Sequence, residues 1–187
     1  MKLRQILVAG TFLASAALML GGRQAEAAVI CPPIGADTTC GLIITVGPGG
    51  ALSTSATGQG PYDGVEDTLI GVVNNSGVAI TTLGSISSNV DIFGFDGDGI
   101  DTFGAPGNAT DTTGYGGPNT FFTNISPDLR SGTVNFVTAI APGGATFFSL
   151  EEALTIHSII VPEPATMAVL GAGLVGLGIA RRRRSKG

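Results

Sequence analysis

The apolar residues between positions 28 and 160 occur in short runs separated by Gly, Pro, Asn and Asp, and this pattern most constrains the fold. Short apolar runs bounded by turn-forming residues are typical of β-strands, and no helical repeat of apolar residues interrupts them. Eight such runs in one domain's length of chain predict an all-β fold, a single β-sandwich-like domain of about eight strands. The predicted strands are 41–46, 67–73, 78–83, 88–93, 119–125, 132–140, 144–149 and 153–161.

Turn-forming residues suggest how two pairs of strands are joined. Asn74, Asn75 and Gly77 separate the second and third predicted strands. These residue types tolerate the positive φ of a tight turn, so we expect a β-hairpin there. A second turn is expected at Pro142-Gly143-Gly144, and the Gly- and Thr-rich segment 104–118 predicts a long loop.

The charge of the central segment excludes one class of partner. Residues 28–160 hold twelve acidic side chains and one basic side chain, Arg130, which gives a net charge of −11. Such a surface repels nucleic acid and anionic lipid, whereas it attracts divalent cations. We therefore expect no nucleic-acid partner.

The amino-terminal residues resemble a secretory signal. Lys2 and Arg4 precede an apolar run of fifteen residues, and small residues follow at the positions that a signal peptidase reads. Residues 1–27 are therefore predicted to be a signal peptide that signal peptidase removes between Ala27 and Ala28. Export also favours a disulfide between Cys31 and Cys40, the two cysteines of the chain.

The carboxyl-terminal residues predict a membrane segment. Residues 165–180 carry no charge and lie between a Pro-Glu-Pro sequence and four consecutive arginines. As a helix this stretch would be about 24 Å long, which is short but sufficient if the arginines snorkel or the bilayer thins. The arginines, at 181–184, would stay on the cytoplasmic side of the membrane.

The three parts of this tail, in this order, closely resemble the PEP-CTERM sorting signal of Gram-negative bacteria. The resemblance covers residues 161–187. It implies that an exosortase, a membrane-embedded enzyme, recognises the tail and removes it, and that the remainder reaches the cell surface or the medium. It also implies an association with exopolysaccharide and biofilm. The residues that carry the resemblance are Val161, Pro162, Glu163, Pro164, Arg181, Arg182, Arg183 and Arg184.

The sequence GFDGDGID offers a candidate metal site. Asp96, Asp98 and Asp101 lie among glycines, and the carbonyl of Ile100 could add another oxygen, a donor set that suits calcium. No other cofactor is suggested. Asp-Gly pairs are also typical of a plain turn, so both interpretations stand.

Three function classes are compatible with the sequence. The first is a non-catalytic protein of the cell surface or extracellular matrix, which is the one we expect. The second is a calcium-dependent carbohydrate-binding module. The third is a glycoside hydrolase with an Asp/Glu pair, for which Asp63, Glu66 or Asp67 would pair with Asp91 or Asp96.

Overall fold

The structure, a computed structural model, describes residues 29–156 and the backbone of residues 159–160. Within these residues the fold is all-β, with eight strands and one short 3-10 turn at Pro48–Gly50. The strands are β1 (Leu42–Val46), β2 (Leu52–Ala56), β3 (Thr68–Asn74), β4 (Ile80–Ser88), β5 (Thr120–Thr123), β6 (Ser131–Ile140), β7 (Ala145–Leu150) and β8 (Ile159–Ile160).

The strands form two four-stranded sheets. Sheet 1 has the order β2-β1-β3-β7, and sheet 2 has the order β5-β6-β4-β8. The pairing of β1 with β3 is parallel, and the other strand pairs are antiparallel. The prediction of an all-β, two-sheet domain is thus confirmed.

The main hydrophobic core lies between the two sheets. Alternate residues of β1, such as Leu42 and Ile44, meet Val134 and Phe136 of β6, and Phe148 of β7 lies in the same buried cluster. This alternation follows from the twofold repeat of side chains along a strand. The apolar inner faces of the two sheets therefore pack against each other, as in a β-sandwich.

Sheet 1 is also covered on its outer face. There the amino-terminal segment and its disulfide, Cys31 to Cys40, form a second buried cluster with Leu69 and Phe147. A Cβ atom added to Gly71 would lie 2.5 Å from the Sγ of Cys40. The disulfide is confirmed, and it packs directly against the bare backbone of β3.

Two strand predictions are wrong in part or in full, and one strand was not predicted. Of the predicted strand 88–93, only Ser88 lies in a strand, as the last residue of β4; the residues that follow make turn and loop hydrogen bonds, and Ile92 and Phe93 enter the core. β2 was not predicted, since it is an exposed edge strand with a polar sequence. Among the described residues of 153–161, two lie in a strand, those of β8.

The predicted hairpin is also wrong, because β3 and β4 belong to different sheets. The side-chain amide of Asn74 donates to the carbonyls of Val78 (2.7 Å) and Ile140 (2.8 Å). Gly77 has the expected positive φ of 81°, so a turn is present, but it carries the chain from one sheet to the other. The turn at Pro142-Gly143-Gly144 is confirmed, and it also crosses between sheets.

The signal peptide at 1–27 with its cleavage site, and the membrane helix at 165–180, lie outside the described residues. Within the described part of the chain, no helix is long and apolar enough to cross a membrane.

Asp37, inside the disulfide loop, is expected to make stability depend on pH. Burial raises the pKa of Asp37 from 3.8 to about 6, so the unfolded chain ionises this carboxyl before the folded one does. The folded state therefore loses stability as pH rises from 4 to 7, by up to about 3 kcal/mol. Asp37→Asn removes this dependence. We expect the free energy of unfolding of the variant, relative to wild type, to rise over that interval.

Asp128 provides the control for this prediction. A hydrogen bond from the Ser126 hydroxyl lowers the pKa of Asp128, so this carboxylate stabilises the fold once ionised. Asp128→Asn should therefore lose stability relative to wild type as pH rises through the range below about 4, where the folded and unfolded chains differ in ionisation of this carboxyl. Urea unfolding from about pH 2 to pH 7 measures both trends, and a rise in the relative stability of Asp128→Asn from about pH 4 to pH 7 like that of Asp37→Asn would contradict the assignment.

Candidate functional site

Six carboxylates converge at one end of sheet 1, and we refer to them as the acidic cluster. They form two triads, and within each triad one oxygen from every carboxylate lies within 4.8 Å of the others. The first triad is Asp63, Asp67 and Asp98, and the second is Glu66, Asp96 and Glu151.

The pairing of β3 with β7 explains why two of these residues meet. Thr68, the first residue of β3, pairs with Leu150, the last residue of β7. Asp67 directly precedes β3 and Glu151 directly follows β7, so an antiparallel register brings both carboxylates to the same end of the sheet. The loop between β4 and β5 then supplies Asp96 and Asp98.

Asp63 shapes the loop that leads into β3. Its Oδ1 accepts hydrogen bonds from the backbone amides of Val65 (3.1 Å), Glu66 (3.1 Å) and Asp67 (3.0 Å). A short carboxylate that caps the following amides is a frequent turn-forming arrangement. This turn holds Glu66 and Asp67 beside the other carboxylates.

Two buried tyrosines hold the carboxylates of Asp67 and Asp98 in place through hydrogen bonds. The Tyr62 hydroxyl donates to Oδ2 of Asp67 at 2.7 Å, and the Tyr115 hydroxyl donates to Oδ1 of Asp98 at 2.7 Å. The Tyr115 oxygen also lies 3.2 Å from Oδ1 of Asp96. Burial raises the pKa of both tyrosines, so they remain hydrogen-bond donors.

Asp67 and Glu151 are the two buried members of the acidic cluster, with 0% and 7% of their surface exposed. Burial, reinforced by neighbouring carboxylates, raises the pKa of Asp67 to about 8 and that of Glu151 to about 7. One oxygen of each, Oδ1 of Asp67 and Oε2 of Glu151, is buried without a hydrogen-bond partner among the described residues. Such groups are costly unless a ligand satisfies them.

The exposed carboxylates behave differently. Hydrogen bonding with Asp98 lowers the pKa of Asp96, so this group favours its charged form. Arg130, the single basic residue of the central segment, interacts with Asp128 rather than with the cluster. Within the described residues, no basic side chain therefore neutralises these carboxylates.

The structure does not bring the four predicted metal ligands together in one site. Asp96 and Asp98 are brought together on Tyr115, but in separate triads. The carbonyl of Ile100 already accepts hydrogen bonds from the amides of Phe103 (3.3 Å) and Ala105 (3.1 Å). Asp101 belongs to neither triad and instead borders a separate small pocket, where its carboxylate contacts Gly114.

Asp111 stabilises the conformation of the long loop 104–118. Its carboxylate accepts from the amides of Thr113, Gly114 and Gly116, while the Asn108 amide donates to the carbonyls of Gly117 and Thr120. The loop prediction is confirmed, and these side chains hold the loop against β5.

Glu151 and the two tyrosines were missed as site residues. From the sequence, a hydrolase would pair Asp63, Glu66 or Asp67 with Asp91 or Asp96, and a calcium site would use Asp96 and Asp98. The structure brings these residues together in the two triads, except for Asp91. The available clue was YDGVED before one predicted strand and EE after another. That clue becomes informative once the two strands are known to pair.

Comparison with known proteins concerns the tail. Residues 161–184 match the protein family described as the PEP-CTERM protein-sorting motif. The chain carries an exosortase sorting signal. The match covers the Pro-Glu-Pro sequence, the apolar stretch and the arginines, as the sequence predicted. No curated protein and no solved structure matches the chain.

The sorting signal makes this an exported protein, which is anchored in the membrane for a time and processed by an exosortase before surface display. The disulfide agrees with that location, because such bonds persist in oxidising compartments.

Proposed function

We propose that the chain is a non-catalytic component of the cell surface or extracellular matrix of a Gram-negative bacterium, associated with exopolysaccharide and biofilm. The observation that carries this proposal is the PEP-CTERM match at residues 161–184, which begins directly after β8. The tail addresses the protein to the surface, and the sandwich is what remains there after processing.

The burial of the unusual carboxylates favours a non-catalytic role over a hydrolase. A general acid must reach the atom that it protonates. Asp67 and Glu151 have raised pKa values, as a general acid at neutral pH would, but Tyr62, Tyr115 and the strand ends enclose them. This arrangement suits a structural or ligand-holding role better than proton transfer to a sugar.

One observation favours a second candidate, the calcium-dependent carbohydrate-binding module. Phe103 is 43% exposed and packs edge-on against Tyr62, with ring centroids 5.2 Å apart. An exposed aromatic ring next to Tyr62, which binds a carboxylate of the acidic cluster, offers an apolar face for a sugar ring. Retention on a glycan array that is lost both in EGTA and in Phe103→Ala would favour this candidate. If neither the wild-type chain nor the Phe103→Ala variant is retained on the array, the result favours the matrix protein.

Processing of the tail tests the proposed sorting and location. Protein recovered from the surface of exosortase-containing cells is expected to have the mass of a chain that starts at Ala28 and lacks residues 181–187. The mass is measured on the intact chain and includes any added sugar or lipid. Full-length protein in the surface fraction would contradict the proposal.

Substitution of the arginines separates sorting from export. Replacing Arg181 to Arg184 by glutamine should leave signal-peptide removal intact but impair tail removal, because the positive charges fix the segment's orientation and depth. Lys186→Gln is the matched control, since it lies outside the matched residues and should be processed normally. Equal processing of both variants would show that the arginines have another role.

Location in the matrix requires its own measurement. We expect the processed protein to co-purify with exopolysaccharide, and a strain lacking the protein to retain less polysaccharide at its surface. A processed protein that stays in the membrane fraction, with unchanged polysaccharide retention, would contradict the matrix role.

A further inference from the structure

We propose that the acidic cluster binds calcium at one position in each triad, with Asp67 as the buried ligand beside Asp63 and Asp98, and Glu151 as the buried ligand beside Glu66 and Asp96. The proposal does not rest on the sorting signal or on the matrix role. It differs from the ligand set expected from the sequence, because Ile100 and Asp101 are excluded.

The spacing of the carboxylate oxygens fits a shared cation. Calcium binds oxygen at about 2.3–2.6 Å, so two oxygens on one ion lie no more than about 5 Å apart. In each triad the three donor oxygens lie within 4.8 Å of one another. Each triad can therefore supply three oxygens to one ion without rearrangement of the strands.

The buried oxygens without partners indicate that the site is incomplete as protein alone. Oδ1 of Asp67 and Oε2 of Glu151 are shielded from solvent and accept no hydrogen bond from the described residues. The opposite oxygen of Asp67 already accepts from Tyr62, so the carboxylate is held in place with one oxygen left over. A cation supplies the missing partner, and one of these two residues belongs to each triad.

The chemistry of the donors selects the kind of ion. All six side chains are carboxylates, and oxygen donors suit calcium, whereas histidine and cysteine suit zinc. Four of the six are exposed or half-buried, so waters can complete the coordination. Calcium accepts the irregular geometry of such a site more readily than magnesium does.

Binding would join three segments that are distant in sequence. The ligands come from the turn before β3, the loop after β4 and the residue after β7. An ion in the second triad links all three segments, and an ion in the first triad links the turn before β3 to the loop after β4, so bound calcium would resist the separation of these segments on unfolding. Calcium is therefore expected to raise the melting temperature of the domain.

The test is thermal unfolding of the full-length chain in mild detergent, in EGTA and in 10 mM calcium chloride at constant ionic strength. We expect calcium to raise the melting temperature by roughly 5 °C. Isothermal titration with calcium chloride should give a dissociation constant of about 10⁻⁴ to 10⁻³ M, as in extracellular modules. The absence of a shift in the wild-type chain would overturn the proposal.

Two double variants with the same charge change separate specific binding from general screening. Glu66→Gln with Asp98→Asn removes one exposed ligand from each triad, and we expect calcium affinity to fall at least about tenfold. Asp91→Asn with Asp101→Asn alters exposed carboxylates outside the triads and should bind like wild type. Because the substituted residues are exposed, both variants are expected to fold. Equal calcium shifts in the two variants would overturn the proposal in favour of nonspecific screening.

Discussion

Phe148→Ala is expected to lower the free energy of unfolding by about 3–5 kcal/mol, the typical cost of emptying an aromatic site in a core. Phe148 is 0% exposed and lies between the sheets, where its ring centroid is 5.8 Å from that of Phe122 in β5. The ring is therefore a direct contact between β7 of one sheet and β5 of the other. Its removal leaves a cavity that neither sheet can fill without moving.

Urea unfolding of the full-length chain, followed by circular dichroism, measures this loss. Val137→Ala is the control, because Val137 lies in β6 but is 50% exposed and should cost less than about 1 kcal/mol. Phe148→Leu should recover part of the loss, since it refills much of the cavity. Similar costs for Phe148→Ala and Val137→Ala would contradict the position of Phe148 between the sheets.

The second large effect is expected from the disulfide. Cys31→Ala with Cys40→Ala should cost about 3 kcal/mol, because a loop with a sequence separation of 9 residues is no longer closed in the unfolded chain. Both cysteines are buried, so lost packing against β3 adds to this cost. Urea unfolding without reductant measures the difference, and a loss below about 1 kcal/mol would contradict a structural role for the bond.

Gly71 allows the packing part of this effect to be tested separately. Gly71→Ala should be strongly destabilising in the wild-type chain, because its Cβ would lie 2.5 Å from the Sγ of Cys40 and 2.7 Å from Cγ2 of Ile30. In the chain without the disulfide the closer of these contacts disappears, so the same substitution should cost less. A double-mutant cycle gives the coupling energy, and additive costs would show that the disulfide does not press on β3.

The sequence predicted those parts of the fold that depend on alternation along a strand. β1, β3, β6 and β7 were located well because their apolar side chains face a core, and sheet 1 is covered on both faces. β2 was not predicted, because an exposed edge strand buries too little surface to need an apolar pattern. The error at 88–93 has the opposite cause, since a loop there inserts Ile92 and Phe93 into the core.

Sheet membership could not be read from local residue types. NNSG has the composition of a hairpin turn, but the Asn74 side chain bonds to the carbonyl of Ile140, which is 66 residues away. That contact ties the two sheets together where the chain crosses between them. Residue preferences describe the turn itself and carry no information on which sheet receives the next strand.

The candidate site shows the same division between local and long-range information. Asp96 and Asp98 were identified from a short acidic sequence, whereas the grouping of Asp96 with Glu66 and Glu151 depends on the register of β3 with β7. Asp101 was grouped with its neighbours in sequence, but its side chain lies against Gly114 instead. Sequence spacing therefore located part of the cluster and could not define its membership.

The position of β8 limits how far the sandwich can move from the membrane before processing. β8 ends at Ile160 and is hydrogen-bonded to β4, while the predicted membrane segment begins at residue 165. Five residues of extended chain reach at most about 18 Å. On the prediction that the membrane segment begins at residue 165, an exosortase acting on this tail would work within about 18 Å of the edge of sheet 2.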